Sequence, residues 1–138
     1  NGFVHWDDGP LILENPWVQG LTWANIRHAF TSYDPELYVP LTLLSYQVNY
    51  AIAGLAAWIY HLTNLLLHVF NVLLVYGIAL KLTKKSSAAI AVGLLFAVHP
   101  LHVETVAWAA ARKDVLSGTF LLLSLASFLR YRTRGTRG

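Results

Sequence analysis

Residues 54–80 form a charge-free apolar run of about 27 residues, and no other feature constrains the fold so strongly. Crossing a bilayer core takes about 20 apolar residues of helix. The helix is required because lipid offers no partners to backbone N–H and C=O groups, which must be bonded within the segment. Residues 54–80 are therefore read as a transmembrane helix. The rest of the chain agrees with that setting: 56% of its residues are hydrophobic and 12% charged, with mean hydropathy +0.48, far from the balance of a soluble domain. The chain has no cysteine, which excludes disulfides, thiol chemistry and thiolate metal sites without choosing a compartment. It opens on Asn1, contains no Met and closes on an Arg/Gly tail. It is read as an internal piece of a longer protein, with any signal peptide or first span upstream.

Two more apolar runs follow, giving spans at about 54–80, 86–98 and 115–130. Before them, residues 1–20 are rich in turns: Asp7-Asp8-Gly9-Pro10, Asn15-Pro16 and Gly20. Thr22 is placed to cap a short helix over 23–30, and Tyr33-Asp34-Pro35 breaks the chain again. Pro40 then opens another helix. On it Leu41, Leu44, Val48, Ala51, Ile52 and Leu55 share an arc of about 100°, a pattern suited to a helix lying in the membrane interface with its tyrosines near headgroup level. The expected fold is all-α: a polytopic helical membrane protein with about three transmembrane helices and short interfacial helices. Residues 1–53 form a first extracytoplasmic loop, and residues 99–114 a second one within the membrane part 54–138.

Charge placement sets the orientation. Seven of the ten Lys/Arg residues lie in 81–85 and 130–137, where there is no acid, and all seven Asp/Glu residues lie elsewhere. The positive-inside rule puts the basic segments in the cytoplasm. The basic tail is read as topogenic, with no nucleic-acid partner. Three spans then place Asp7-Asp8 and 99–114 together on the outer face, where two acidic segments can converge on one site.

The stretch His-Pro-Leu-His-Val-Glu-Thr-Val-Ala-Trp-Ala-Ala-Ala-Arg-Lys-Asp (99–114) carries the densest chemistry. Each of Glu104, Arg112, Lys113 and Asp114 would cost roughly 2.5–3.5 kcal/mol at mid-bilayer, so the stretch belongs at the surface or along a wet cavity. If residues 103–114 form one helix, Glu104, Trp108 and Arg112 fall within about 80° of one another, and Arg112 with Lys113 forms an anion clamp. The alternative is a plain interfacial anchor with both cations snorkelling. His99, His102 and Glu104 are ligand types in close sequence, but on a helix Glu104 points about 200° from His102, so only a loop gathers all three around a metal. Asp7-Asp8 reads either as a solvated turn or as paired carboxylates for general-base or cation-binding chemistry. In the first span His61, Asn64, His68 and Asn71 make a polar stripe, read as interhelical hydrogen bonding rather than an ion path.

The strings Phe-Val-His-Trp-Asp-Asp (3–8), Asn-Pro (15–16), Pro-Leu-Thr-Leu-Leu-Ser-Tyr (40–46), His-Leu-Thr-Asn-Leu-Leu-Leu-His (61–68), His-Pro-Leu-His-Val-Glu-Thr-Val-Ala-Trp (99–108) and Arg-Lys-Asp-Val-Leu (112–116) run in order along nearly the whole chain. Together they resemble the N-terminal membrane part of the transmembrane and tetratricopeptide-repeat glycosyltransferase-like proteins, which include O-mannosyltransferases and are similar to C-type glycosyltransferases. Where relatives commonly carry an acid before Arg-Lys-Asp, this chain has Ala111.

The resemblance implies transfer of a mannose-like sugar from a polyprenyl-phosphate carrier to a hydroxyl of a protein or glycan acceptor, on the extracytoplasmic face. The membrane would be a bacterial inner membrane, or the endoplasmic reticulum in a eukaryote. It implies a catalytic role for Asp7 or Asp8 and substrate-binding roles for His99, His102, Glu104, Arg112, Lys113 and Asp114, with a divalent cation (Mg or Mn) left open. The rival from another class is a non-catalytic anchor or transporter-like module.

Overall fold

In a computed structural model, residues 2–4, 6–33 and 37–135 are described. His5 of the first string, Asp34 and Pro35 of the second break, and Arg137 of the basic tail lie outside them. The described chain is all-helical, and as a helical membrane protein it matches the fold expected from the sequence.

A π-turn at Gly9–Leu13 and a 3-10 turn at Pro16–Val18 lead into α1 (Trp23–Thr31). The turn starts where the Asn15 side chain accepts from Trp17 N at 2.9 Å. Helix α1 starts where Thr22 Oγ1 accepts from Asn25 N at 3.2 Å, the cap expected of that threonine. Gly20, at φ 129°, turns the chain between the two in a conformation open to glycine. Helix α2 (Pro40–Ala53) opens on Pro40 and closes on Gly54 at φ 59°. Gln47 of α2 donates to Trp17 O at 3.1 Å and Asn25 O at 3.0 Å, tying the N-terminal turns and α1 to α2.

The burial of α2 is unlike that of a soluble helix. Thr42, Tyr46, Gln47 and Asn49 face inward beside Leu43, whereas Leu41, Val48 and Ile52 are exposed. In water this would leave the apolar face unburied; against lipid it is the stable arrangement. Of the tyrosines expected on α2, Tyr46 is 0% exposed and packs into the protein core.

Helix α3 (Ala57–Thr83) and α6 (Arg112–Gly135) hold the two segments long and apolar enough to cross a membrane. Between them α4 (Ser86–Val98) is too short to span alone, and it meets α5 (Leu101–Ala107) at a 60° bend, as a broken span or a re-entrant loop. Along α3 the polar stripe turns inward. Asn64 donates to Trp108 O at 2.8 Å, Asn71 to Val115 O at 3.1 Å, and His68 Nε2 bonds Ala97 O at 3.2 Å. Three of its four members thus make the expected interhelical bonds. His61 differs, its ring nitrogens buried without a partner. Since Asn64 meets 108 and 112 while Asn71 meets 115, α3 and α6 run in the same direction. Both begin at the end that carries the turns before α2, and the loop at 84–85 lies at the other end.

Candidate functional site

The site is built around a break. Trp108 is extended (φ −102°, ψ 122°), so α5 stops at Ala107 and α6 starts only after a 3-10 turn at Ala109–Ala111. Residues 103–114 are therefore not one helix, and the helix of the third apolar run starts at Arg112 instead of 115. The reason is tertiary. Asn64 of α3 holds Trp108 O, the Tyr46 hydroxyl of α2 donates to Ala109 O at 2.9 Å, and Asp8 Oδ1 accepts from Ala110 N at 2.8 Å. Three distant segments satisfy the backbone groups that the break frees, as a chain in an apolar setting requires. Asp8 is 0% exposed, and its other oxygen accepts from Val4 N at 2.9 Å. This carboxylate fastens the N-terminal loop to the break.

Behind the break lies Arg112, also 0% exposed. Its Nε donates to Asn64 Oδ1 at 2.8 Å, Nη1 to Ser45 Oγ at 3.1 Å and to Asn49 Oδ1, and Nη2 to Tyr60 O at 2.8 Å. The guanidinium carbon is 4.6 Å from the Tyr46 ring centre and 5.7 Å from that of Tyr60. A buried charge is costly unless its donors are satisfied, and here neutral acceptors and two aromatic faces do so. Among the described residues no carboxylate bonds it. Burial also pushes the Tyr46 hydroxyl far above its ordinary pKa despite the opposing charge of Arg112, so the phenol stays a donor to Ala109. Of the pair expected as an anion clamp, Arg112 is turned inward by the break and its guanidinium is bonded within the protein.

At the break is also a cleft of about 220 Å³ bordered by Asp7, Glu104, Thr105, Trp108, Lys113 and Asp114, with Ala110 and Ala111 in its wall. The two acidic segments do meet: Asp7 borders the cleft, and Asp8 is bonded to Ala110 N in its wall. Lys113 also borders a second groove, of about 210 Å³, with Leu41, Leu116 and Phe120.

His99 and His102 are elsewhere. With His68 and Val98 they line an apolar groove on another face, the His102 ring 4.3 Å from that of Phe96 and 5.3 Å from that of His68. Helical geometry across α5 separates His102 from Glu104, so the His99, His102 and Glu104 set does not come together. Among the described residues no group of three or more such side chains is arranged to hold a metal ion. Sequence reasoning overlooked the cage of Arg112. Its signal was the inward polar series of α2, Ser45, Tyr46 and Asn49, alongside Asn64.

Comparison with known proteins bears on this arrangement. Protein O-mannosyl-transferase tmtc2 of Xenopus laevis is 42% identical over 129 residues, covering 91% of this chain and 15% of its own length. Protein O-mannosyl-transferase Tmtc2 of Drosophila melanogaster is 42% identical over 141 residues, covering 94% of this chain and 15% of its own. Over this region the chain is homologous to the TMTC protein O-mannosyl-transferases. The human relative TMTC3 is 39% identical over 140 residues, covering 94% of the chain and again 15% of its own length. The chain thus spans about 15% of the length of these O-mannosyl-transferases. No family model matches it, and no solved structure does.

Proposed function

We propose that this chain forms part of a membrane glycosyltransferase that moves a mannose-like sugar from a polyprenyl-phosphate carrier to a hydroxyl of a protein or glycan acceptor. The observation that carries the reading is that Asp7 and Lys113, from opposite ends of the chain, border one cleft. Transfer needs a base for the acceptor proton and a positive charge for the departing phosphate. Asp7 takes the proton as the acceptor oxygen bonds the anomeric carbon. The bond from that carbon to the phosphate oxygen breaks, and the phosphate keeps the electron pair against the Lys113 ammonium. The groove that Lys113 shares with Leu41, Leu116 and Phe120 supports approach of an amphiphile with its phosphate at Lys113 and its chain along the apolar wall. Glu104 and Asp114 orient the sugar.

Asp8 and Arg112 shape the cleft from behind, and His99 and His102 take no part in the transfer. The carboxylates of Asp7, Glu104 and Asp114 border the cleft; among the described residues they form no metal-binding group of three. The extracytoplasmic orientation rests on the Lys/Arg asymmetry, and the membrane is the bacterial inner membrane or the endoplasmic reticulum.

The test uses the full-length protein carrying this region and a polyprenyl-phosphate mannose donor. Asp7→Asn is expected to lower turnover by about 10²–10⁴-fold with donor binding retained. Lys113→Ala is expected to weaken donor binding, and Asp8→Asn to lower the melting temperature. Turnover unchanged in Asp7→Asn and Lys113→Ala would place the chemistry elsewhere. A folded wild-type protein that neither binds nor consumes lipid-linked sugars would favour the anchor reading.

A further inference from the structure

The chemistry of the cleft specifies more than a place for the reacting bond. We infer that Trp108 is a sugar platform: one pyranose ring lies against its indole while the ring hydroxyls donate to Glu104 and Asp114. The inference rests on the transferase reading above, and it adds the residue that recognises the sugar.

Size argues first. A cleft of about 220 Å³ is smaller than the roughly 300–1,000 Å³ of pockets for drug-sized ligands, which suits one ring better than a peptide segment. Its lining argues second. The lining offers three carboxylates as acceptors and one ammonium as donor. A polyol suits it, since its hydroxyls donate to carboxylates and its polarised C–H face meets the negative face of an aromatic ring. Trp108 is the aromatic side chain in that lining.

The third argument is rigidity. Trp108 N donates to Glu104 O at 2.9 Å and Trp108 O accepts from Asn64 at 2.8 Å. The half-buried indole packs on the buried cluster beneath the N-terminal turns. Its N–H is buried and makes no hydrogen bond in the protein, so packing alone sets the ring. A surface fixed before the ligand arrives loses little entropy on binding.

The test again uses the full-length protein, labelled with 5-fluorotryptophan in nanodiscs, with the Trp108 signal assigned by its loss in Trp108→Phe. Methyl α-mannoside should shift that signal saturably and leave the other tryptophans in place, and inorganic phosphate should not shift it. In turnover with the lipid-linked donor, Trp108→Leu should raise KM about tenfold with kcat little changed, the scale of an aromatic contact. Trp108→Phe should stay close to wild type. A Trp108 signal indifferent to the mannoside, a KM unchanged in Trp108→Leu, or equal damage from Phe and Leu would each overturn the platform. If Trp108→Leu fails to fold, the wild-type titration decides alone. A saturable Trp108 shift in a protein that turns over no donor would keep the platform and end the transferase reading. Turnover lost in Asp7→Asn but indifferent to Trp108 would do the reverse.

Discussion

Arg112 is held by the carbonyl oxygens of Asn49, Asn64 and Tyr60 and the hydroxyl of Ser45, all fitted to one planar fork. An ammonium is a point charge and cannot reach all four. Arg112→Lys is therefore expected to destabilise the protein nearly as much as Arg112→Met, since buried acceptors left unpaired cost about 1–3 kcal/mol each. Thermal unfolding in detergent measures this, and a lysine variant as stable as wild type would contradict the cage. Tyr46→Phe removes one hydrogen bond, to Ala109 O, and should cost about 0.5–1.5 kcal/mol. Because burial raises the Tyr46 pKa, the native state favours the protonated phenol. Its contribution is full below the ordinary tyrosine value of about 10 and is lost as pH rises above it. An alkaline loss of stability that Tyr46→Phe reduces is the expected signature.

Among the elements, α2 and the pair α3 and α4 make separate predictions. A spin label at Ile52, exposed on the apolar face of α2, should be reached by lipid-soluble oxygen more readily than by a water-soluble nickel chelate. The opposite order would take α2 out of the membrane. Helices α3 and α4 approach closely at Gly93, where an added Cβ would lie 3.5 Å from the Tyr76 Cβ, an ordinary contact. Gly93→Ala should be tolerated and Gly93→Leu should separate the helices, as at other small-residue contacts in membranes. Cross-linking between cysteines on the two helices would register the difference. His68→Leu, which removes the bond to Ala97 O, should cost about 0.6–1.7 kcal/mol.

At the level of the whole molecule, the parallel run of α3 and α6 puts the 81–85 loop and the C-terminal part of α6 at one end and the cleft at the other. Single cysteines at Ser86 and Thr133 should share one pattern of reactivity with a membrane-impermeant thiol reagent, and cysteines at Thr22 and Thr105 the opposite one. Thr105 reacting together with Ser86 would contradict the arrangement of the spans. Labelling in right-side-out and inverted vesicles also tests the orientation inferred from the charges.

Where the information is local and periodic, the sequence alone determined the outcome. Hydropathy over 54–80 marked α3, Thr22 and Pro40 marked the starts of α1 and α2, and the spacing of Leu41, Val48 and Ile52 marked the exposed apolar face of α2. Each depends on a residue and neighbours within a few positions, or on a balance between chain and lipid that needs no partner. Tertiary structure alone decided the break at Trp108, because Ala109, Ala110 and Ala111 are strong helix formers and the groups that hold the chain open are Asp8, Tyr46 and Asn64. It also separated two adjacent aspartates of identical chemistry, turning Asp8 onto Ala110 N and leaving Asp7 at the cleft. Arg112 and Lys113 were divided likewise, one into the cage and one to the cleft. In each pair the chain direction at a single turn decides which side chain faces inward, and the partners that hold that turn come from segments far away in sequence.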